Sequence, residues 1–146
     1  MTRTSTARAA VGAVLAWVLW SGAAGAADDY RVIVNSANPV TSLRQREVSA
    51  LFLRRSTRWD DGTPALPVDG PDSPARESFS TDVHGRKTSA VRSYWLQAIF
   101  SGRGVPPPEK ASDGDVIAHV KEHVGAIGYV SSAAATAAVK VLKVDP

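Results

Sequence analysis

Residues 65–79, ALPVDGPDSPARESF, decide the predicted fold of this chain. The stretch begins with a short apolar run and continues through a cluster of turn formers. It then reaches Ser73 and Pro74, residue types preferred at the N-cap and first position of a helix. A strand, a loop and a helix are therefore predicted. The start of such a helix has unpaired N–H groups and the positive end of the helix dipole, so a small anion can bind there.

Residues 1–26 have the pattern of a secretory signal peptide. Arg3 and Arg8 precede an apolar run at residues 9–20, and small residues before position 27 form an A-x-A cleavage pattern that ends at Ala26. The apolar run is shorter than the roughly 20 residues that a spanning helix needs. We therefore expect cleavage near Ala26, a periplasmic or secreted protein, and no stable membrane span after cleavage.

The composition limits what the remaining domain, residues 27–146, can do. The full chain has a net charge of +3, and loss of Arg3 and Arg8 reduces it to +1, so nucleic acid is not an expected partner. Cysteine is absent from the sequence, so disulfides cannot stabilise the exported protein. A domain of this size can bury a core without them.

The predicted secondary structure alternates strands with helices. In chain order, the elements are a strand at 30–34, a helix at 42–53 capped by Ser42 with Gln45, the central strand before Asp69, a helix from Ser73 to Gly85, a helix from Thr88 or Ser89, a helix from Ser112, a strand at 126–130 and a last strand at 139–144. Strands separated by helices predict an α/β domain with a mainly parallel sheet flanked by helices.

The third predicted helix has the strongest periodic pattern in the sequence. Its apolar residues recur at positions i, i+3, i+4, i+7 and i+8, and they are Val91, Tyr94, Trp95, Ala98 and Ile99. So large an apolar face must pack against another element. We expect it to pack on the sheet.

Polar residues follow the predicted strands. In an open α/β sheet the ligand crevice lies beyond the carboxyl ends of the strands. Asn35 and Ser36 follow the first strand, residues 69–73 follow the central strand, and Ser131 and Ser132 follow the third. Hydroxyl, amide and backbone N–H groups are therefore expected to converge into a polar binding site.

The order of several short motifs carries a family resemblance. These motifs are Asn38-Pro39-Val40, Leu51-Phe52-Leu53, Trp59-x-Asp61-Gly62, Arg76-Glu77-x-Phe79 and Gly125-Ala126-Ile127-Gly128-Tyr129-Val130. Together they resemble one lobe of the phosphate-type substrate-binding proteins of ABC transporters, over roughly Arg31 to Val144. The resemblance implies a single lobe of a type II periplasmic-binding-protein-like fold. It also implies that phosphate or a similar oxyanion is the ligand, and that a transporter permease, a second lobe or a second copy is the partner.

The resemblance also implies which residues line the site. The family's Gly-Ser-Gly-Thr turn falls on residues 72–75, where only the serine, Ser73, is kept. The family's binding arginine, four residues earlier, falls on Asp69, so an anion stands where a cation is expected, and Arg76 is close enough in sequence to compensate. With Asn35 and Ser36, these are the candidate ligand-binding residues.

Other functions have less support in the sequence. His119 and His123 have the spacing of two zinc ligands on a helix, but no third ligand is evident, so no metal or cofactor is expected. Asp82 and His84 lie near serines without a nucleophile elbow, so an enzyme is not expected. The alternative to an oxyanion-binding protein is an envelope interaction module that has kept the lobe and lost ligand binding.

Overall fold

A computed structural model describes residues 29–146, so the predicted signal peptide and its cleavage near Ala26 lie outside the described residues. The elements are β1 Tyr30–Val34, β2 Ser42–Arg44, α1 Gln45–Phe52, β3 Leu66–Pro67, α2 Pro74–His84, α3 Thr88–Phe100, α4 Asp113–Glu122, β4 Ala126–Ser131, β5 Lys140–Val141 and β6 Lys143–Asp145. This mixture of strands and helices confirms the α/β class.

The main sheet has the strand order β3-β4-β1-β5, and β2 and β6 form a second, two-stranded sheet. β3 is parallel to β4, but β1 is antiparallel to both β4 and β5. The expected mainly parallel sheet is therefore wrong, and the sheet is mixed. The alternation of strands and helices fixes strand direction only where one helix joins two neighbouring strands. The neighbours of β1 instead come from the far end of the chain.

The main sheet is covered on both faces because its two central strands alternate their side chains. Val32 on β1 and Tyr129 on β4 pack with Phe52 of α1 and Phe79 of α2. The opposite face of the sheet packs against α4 through a second cluster that contains Ile33, Val68, Val116, Val120 and Val130. The rings of Phe79 and Tyr129 are stacked with centroids 4.1 Å apart. Helices therefore flank the sheet, as the sequence predicts.

The first helix begins later than predicted. Ser42 lies in β2, which pairs with β6 in parallel, and α1 begins at Gln45 with Arg44 as its N-cap. The backbone N–H of Arg44 donates to the carboxylate of Glu47 at 2.7 Å. Pairing with a distant strand therefore overrides the local capping signal at Ser42.

The two serine caps are confirmed. Ser73 Oγ accepts a hydrogen bond from the backbone N–H of Arg76 at 3.2 Å, and Ser112 Oγ accepts one from Asp115 at 3.1 Å. The end of α2 is also as predicted, because Gly85 adopts a left-handed conformation with φ of 63°.

The long helix α3 does not pack on the sheet, contrary to expectation. Trp95 and Ala98 pack against Leu53, which follows α1, and the hydroxyl of Tyr94 donates to the carbonyl of Leu53 at 3.2 Å. Ile99, the last residue of the predicted stripe, is 48% exposed. The sheet is already covered on that side by α1 and α2, so α3 packs outside them.

The last predicted strand is divided in two. Lys140–Val141 pairs with β1, whereas Lys143–Asp145 pairs with β2. Leu142 lies between them, is buried, and donates its N–H to the carbonyl of Val32 at 2.8 Å. One run of residues therefore serves both sheets.

Gly125→Ala is expected to destabilise the fold because Gly125 lies against the backbone of another segment. A Cβ atom at Gly125 would overlap the carbonyl oxygen of Pro64, whereas a Cβ atom at Gly104 meets no atom within 4 Å. Overpacking of this kind costs about 2 to 3 kcal/mol of unfolding free energy. Urea unfolding followed by tryptophan fluorescence measures the change, with Gly104→Ala as the control. Equal unfolding midpoints for the two variants would contradict the packing described for Gly125.

His84 makes folding stability depend on pH. Its Nδ1 lies 2.8 Å from Ser49 Oγ, and its ring contacts Phe79 with centroids 5.4 Å apart. Burial, with help from the charges of Arg86 and Arg55, lowers the pKa of His84 from 6.5 to about 4. Between these values the unfolded chain binds a proton that the folded chain does not, so stability falls as the pH falls.

The loss from pH 7 to pH 4 is expected to reach at most about 3 kcal/mol, the equivalent of this pKa difference. His84→Gln should flatten the pH profile of the unfolding free energy over this range. Gly104→Ala, which changes no titratable group and meets no other atom within 4 Å, is the control and should leave the slope unchanged. The same slope in wild type and in His84→Gln would show that another group carries the pH dependence.

Candidate functional site

One edge of the main sheet carries the starts of two helices. Asp69 follows β3 and Ser73 caps α2, while Ser131 ends β4, the parallel neighbour of β3. Asp113, in the first turn of α4, accepts hydrogen bonds from the backbone N–H of Ser131 at 3.2 Å and from its hydroxyl at 2.5 Å. These residues, together with Arg76, define what we call the β3–β4 edge.

Asp69 is fixed at this edge by both its backbone and its side chain. Its N–H donates to the carbonyl of Pro108 at 2.8 Å, and its carbonyl accepts from the N–H of Lys110 at 2.9 Å. The hydroxyl of Tyr129 donates to Asp69 Oδ1 at 2.6 Å. Burial raises the pKa of the Asp69 carboxyl, and the hydrogen bond from Tyr129 and the charge of Arg76 oppose that rise.

Tyr129 remains a hydrogen-bond donor in this arrangement. Burial raises the pKa of its hydroxyl well above the usual value, and the neighbouring Asp69 charge raises it further. The proton therefore stays on Tyr129 and points toward Asp69. The carboxylate has lone pairs left for another donor.

Arg76 is buried between two carboxylates. Its Nη1 donates to the carbonyl of Gly70 at 3.2 Å and lies 2.9 Å from Glu109 Oε2, while Nη2 lies 3.6 Å from Asp69 Oδ2. Burial lowers the pKa of Arg76, but the charges of Asp69 and Glu109 outweigh that effect and raise it overall. Two negative charges therefore face one positive charge.

Ser73 and Asp72 both have internal partners. Ser73 Oγ caps α2, as described above, and this bond uses the oxygen as an acceptor, so the hydroxyl hydrogen can still be donated. Asp72 forms an exposed ion pair with Arg92 at 3.2 Å. The start of α2 thus offers a hydroxyl donor and the backbone N–H of Ala75 beside a carboxylate, because Pro74 has no N–H and those of Arg76 and Glu77 donate to Ser73.

Asn35 and Ser36 do not join this edge. β1 is antiparallel to β4, with Val34 opposite Ile127, so the end of β1 lies where β4 begins. Asn35 is buried there and donates to the carbonyls of Val120 and Lys121, both at 2.9 Å. The expected convergence of Asn35 and Ser36 with Ser73 is therefore wrong, because it assumed a parallel β1.

Ser36 is exposed and donates weakly to the carbonyl of Ala138 at 3.4 Å. Asn35 Oδ1 also accepts from the N–H of Ala37 at 2.8 Å, which is the geometry of an Asx turn. Within the described residues, the polar atoms of Asn35 thus serve the turn and the end of α4.

The sequence analysis does not identify Asp113 of the edge, nor Tyr129 and Glu109, which contact Asp69 and Arg76. Glu109 reaches Arg76 because Asp69 and Glu109 form an isolated parallel bridge. That contact joins distant parts of the chain and leaves no local signal. Asp113 was open to prediction, since it lies in the first turn of a helix that Ser112 visibly caps.

Two other candidate sites have different partners in the structure. The rings of His119 and His123 are stacked 4.4 Å apart, and His123 Nδ1 bonds to the carbonyl of His119 at 2.8 Å. Among residues 29–146 no group of three or more potential metal-ligating side chains occurs. His84 bonds to Ser49 rather than to the serines of α2.

Four residues of the β3–β4 edge are half-buried, and they are Asp69, Ser73, Asp113 and Ser131. Two cavities of about 340 and 370 Å³ have none of the edge residues in their walls. The first lies around Trp59 and has both apolar and charged residues in its walls, and the second lies beside Val141. In the part of the chain that is described, no helix combines the length and apolar character needed to cross a bilayer.

Several solved structures have a similar fold. They include a putative phosphate ABC transporter substrate-binding protein with bound phosphate from Clostridium perfringens (TM-score 0.62, 22% identity) and an ABC-type phosphate transport receptor from Vibrio cholerae (TM-score 0.61, 21% identity). A possible phosphate binding protein from Planctomyces limnophilus has a TM-score of 0.60 and 14% identity. The matches cover 80% of this chain but only 45%, 46% and 41% of those chains, so this chain spans less than half their length.

Family comparison agrees with this fold. Comparison with curated proteins gives no match. The family model described as PBP superfamily domain matches residues 25–144, which is most of the sequence. The chain therefore belongs to this family of periplasmic-binding-protein-like domains, with one lobe of the fold of phosphate-type substrate-binding proteins.

Proposed function

We propose that this chain is an exported, non-enzymatic binding protein that takes phosphate at the β3–β4 edge and serves ABC-type phosphate transport. The observation that carries the proposal is the start of α2 and α4 at one edge of the sheet, beside Ser73 and Ser131. Backbone N–H groups and helix dipoles at such an edge favour a bound anion. The phosphate named for the similar structures supports the choice of anion.

The carboxylates at the edge favour phosphate over sulfate. A carboxylate such as that of Asp69 or Asp113 can only accept hydrogen bonds when it is ionised. Near neutral pH, phosphate keeps an O–H that it can donate, whereas sulfate has none. A protonated oxyanion therefore bonds to these groups, while a fully ionised one is repelled.

Binding to the isolated lobe is expected to be weak. Asp69 and Glu109 already neutralise Arg76, and an anion at a half-buried edge is screened by water and salt. A second lobe, a second copy of the chain or a transporter permease would supply the opposing wall. The proposed contacts on this chain are Ser73, Asp69 and Arg76, and Asn35 and Ser36 fall outside them.

A second candidate function is an envelope interaction module that has kept the lobe and lost the ligand. The observation that favours it is the saturation of Arg76 by two carboxylates and one carbonyl. A guanidinium held in this way has little positive charge left for an anion. Anion titrations separate the two functions.

Glu109→Gln is expected to increase phosphate affinity about tenfold, because it removes a negative charge 2.9 Å from Arg76. The Glu109 side chain is 56% exposed, so the change is compatible with folding. Isothermal titration calorimetry with phosphate measures the affinity. Glu122→Gln removes the same charge from the end of α4 and is the matched control. If no variant binds phosphate at millimolar concentration, the interaction module is the better account.

Asp69→Asn is expected to reduce the preference for phosphate over sulfate, because an amide can donate a hydrogen bond to sulfate and a carboxylate cannot. Calorimetry measures the dissociation constants of sulfate and of phosphate. The sulfate constant divided by the phosphate constant should fall about tenfold, which corresponds to one hydrogen bond to a charged group. Asp72→Asn, an exposed neighbour, should leave the ratio unchanged. An unchanged ratio in Asp69→Asn would exclude Asp69 from the site.

A further inference from the structure

Helix α3 carries exposed apolar residues beside its buried face. Trp95 and Ala98 face inward and pack against Leu53. On the outer side, Leu96 is 55% exposed, Ile99 48% and Phe100 87%. These three residues have the spacing i, i+3 and i+4, so they lie on one side of the helix. We call this surface the outer α3 face.

An exposed apolar cluster of this kind is unusual on the surface of a monomeric protein. Isolated surface hydrophobic residues need no explanation, but neighbouring large ones mark contact sites. Val105, in the loop after α3, is also exposed, at 63%. We therefore expect a binding partner to cover the outer α3 face.

The segment that contains α3 carries side-chain charges of one sign. From Gly85 to Pro108 the sequence contains no aspartate or glutamate and four cations, which are Arg86, Lys87, Arg92 and Arg103. Among the described residues, only Arg92 of these four forms an ion pair, with Asp72. The expected partner is therefore anionic as well as apolar.

The charge argues against a second copy of this chain as that partner. Two outer α3 faces packed together would bring their cations into one interface without any acid from α3 to balance them. Neither of the two cavities described above has an α3 residue in its walls. A lipid surface needs no groove, since it can cover a protruding helix.

We propose that the outer α3 face binds the surface of an anionic phospholipid membrane. Leu96, Ile99 and Phe100 enter the boundary between headgroups and acyl chains, as in an interfacial amphipathic helix, and Arg103, which follows the end of α3, contacts the lipid phosphates. This role is independent of phosphate binding at the β3–β4 edge. It would hold an exported protein close to the envelope membrane without a spanning helix.

Vesicle binding tests this proposal. The wild type and all variants are expressed from the full sequence and exported by the same host, so they have the same N-terminus. Sedimentation with vesicles of phosphatidylglycerol and phosphatidylcholine in equal parts is compared with sedimentation with phosphatidylcholine alone. We expect binding to the anionic vesicles only, weakened by salt. The double variant Leu96→Gln/Phe100→Gln should reduce the partition coefficient about tenfold or more, since it removes two apolar side chains that the membrane would bury.

Two further variants complete the test. Arg103→Gln should reduce the partition coefficient about fivefold, the effect of one cation near an anionic surface. Val124→Gln changes an apolar residue that is 56% exposed and lies outside α3, so it should bind like the wild type. Thermal melts by circular dichroism confirm that each variant is folded.

Three results would overturn the proposal. The first is no binding of the wild type to anionic vesicles, and the second is equal binding by the wild type and the double variant. The third is a concentration-dependent dimer in analytical ultracentrifugation that the double variant abolishes while vesicle binding is unaffected. That last result would assign the outer α3 face to a second copy of the chain.

Discussion

The antiparallel pairing of β1 with β4 determines which residues of this protein can meet. It joins the first strand of the described chain to one that follows four helices, and it places Val34 opposite Ile127. The end of β1 therefore lies away from the ends of β3 and β4. The polar groups after β3 and β4 form one edge of the sheet. Asn35 lies at the opposite edge, where its side chain donates a hydrogen bond to the carbonyl of Val120 near the end of α4.

The second determining feature is the buried guanidinium of Arg76. A buried charge is tolerated when it is paired and hydrogen-bonded, and Asp69, Glu109 and the carbonyl of Gly70 meet that requirement. The same contacts tie the segment that carries Glu109 to the start of α2. They also leave the edge with an excess of negative charge, so the groups that stabilise the loop weaken its attraction for an anion. Both proposed functions follow from this balance.

The sequence predicts the local features of this fold and fails where distant segments decide. Ser73 and Ser112 were predictable as caps because a cap and its partner lie three residues apart. The start of α1 is not predictable in this way, because Ser42 belongs to β2, which pairs with the distant strand β6. The apolar stripe on α3 was visible, but its packing partner, Leu53, depends on tertiary structure.

The same division applies to the candidate site. Ser73, Asp69 and Arg76 lie within one short segment, so their proximity could be predicted from the sequence. Glu109 and Tyr129 come from other segments, and no spacing rule connects them to Asp69. Asn35 and Ser36 were assigned to the site because the direction of a strand cannot be derived from its own residues.

Amide chemical shifts of the isotopically labelled protein during a phosphate titration test the central claim most directly. A site at the β3–β4 edge predicts amide shifts concentrated at Ser73, Ala75, Arg76 and Ser131, with none at Asn35 and Ser36. Shifts centred on Asn35, or no shift at any phosphate concentration up to the millimolar range, would contradict it.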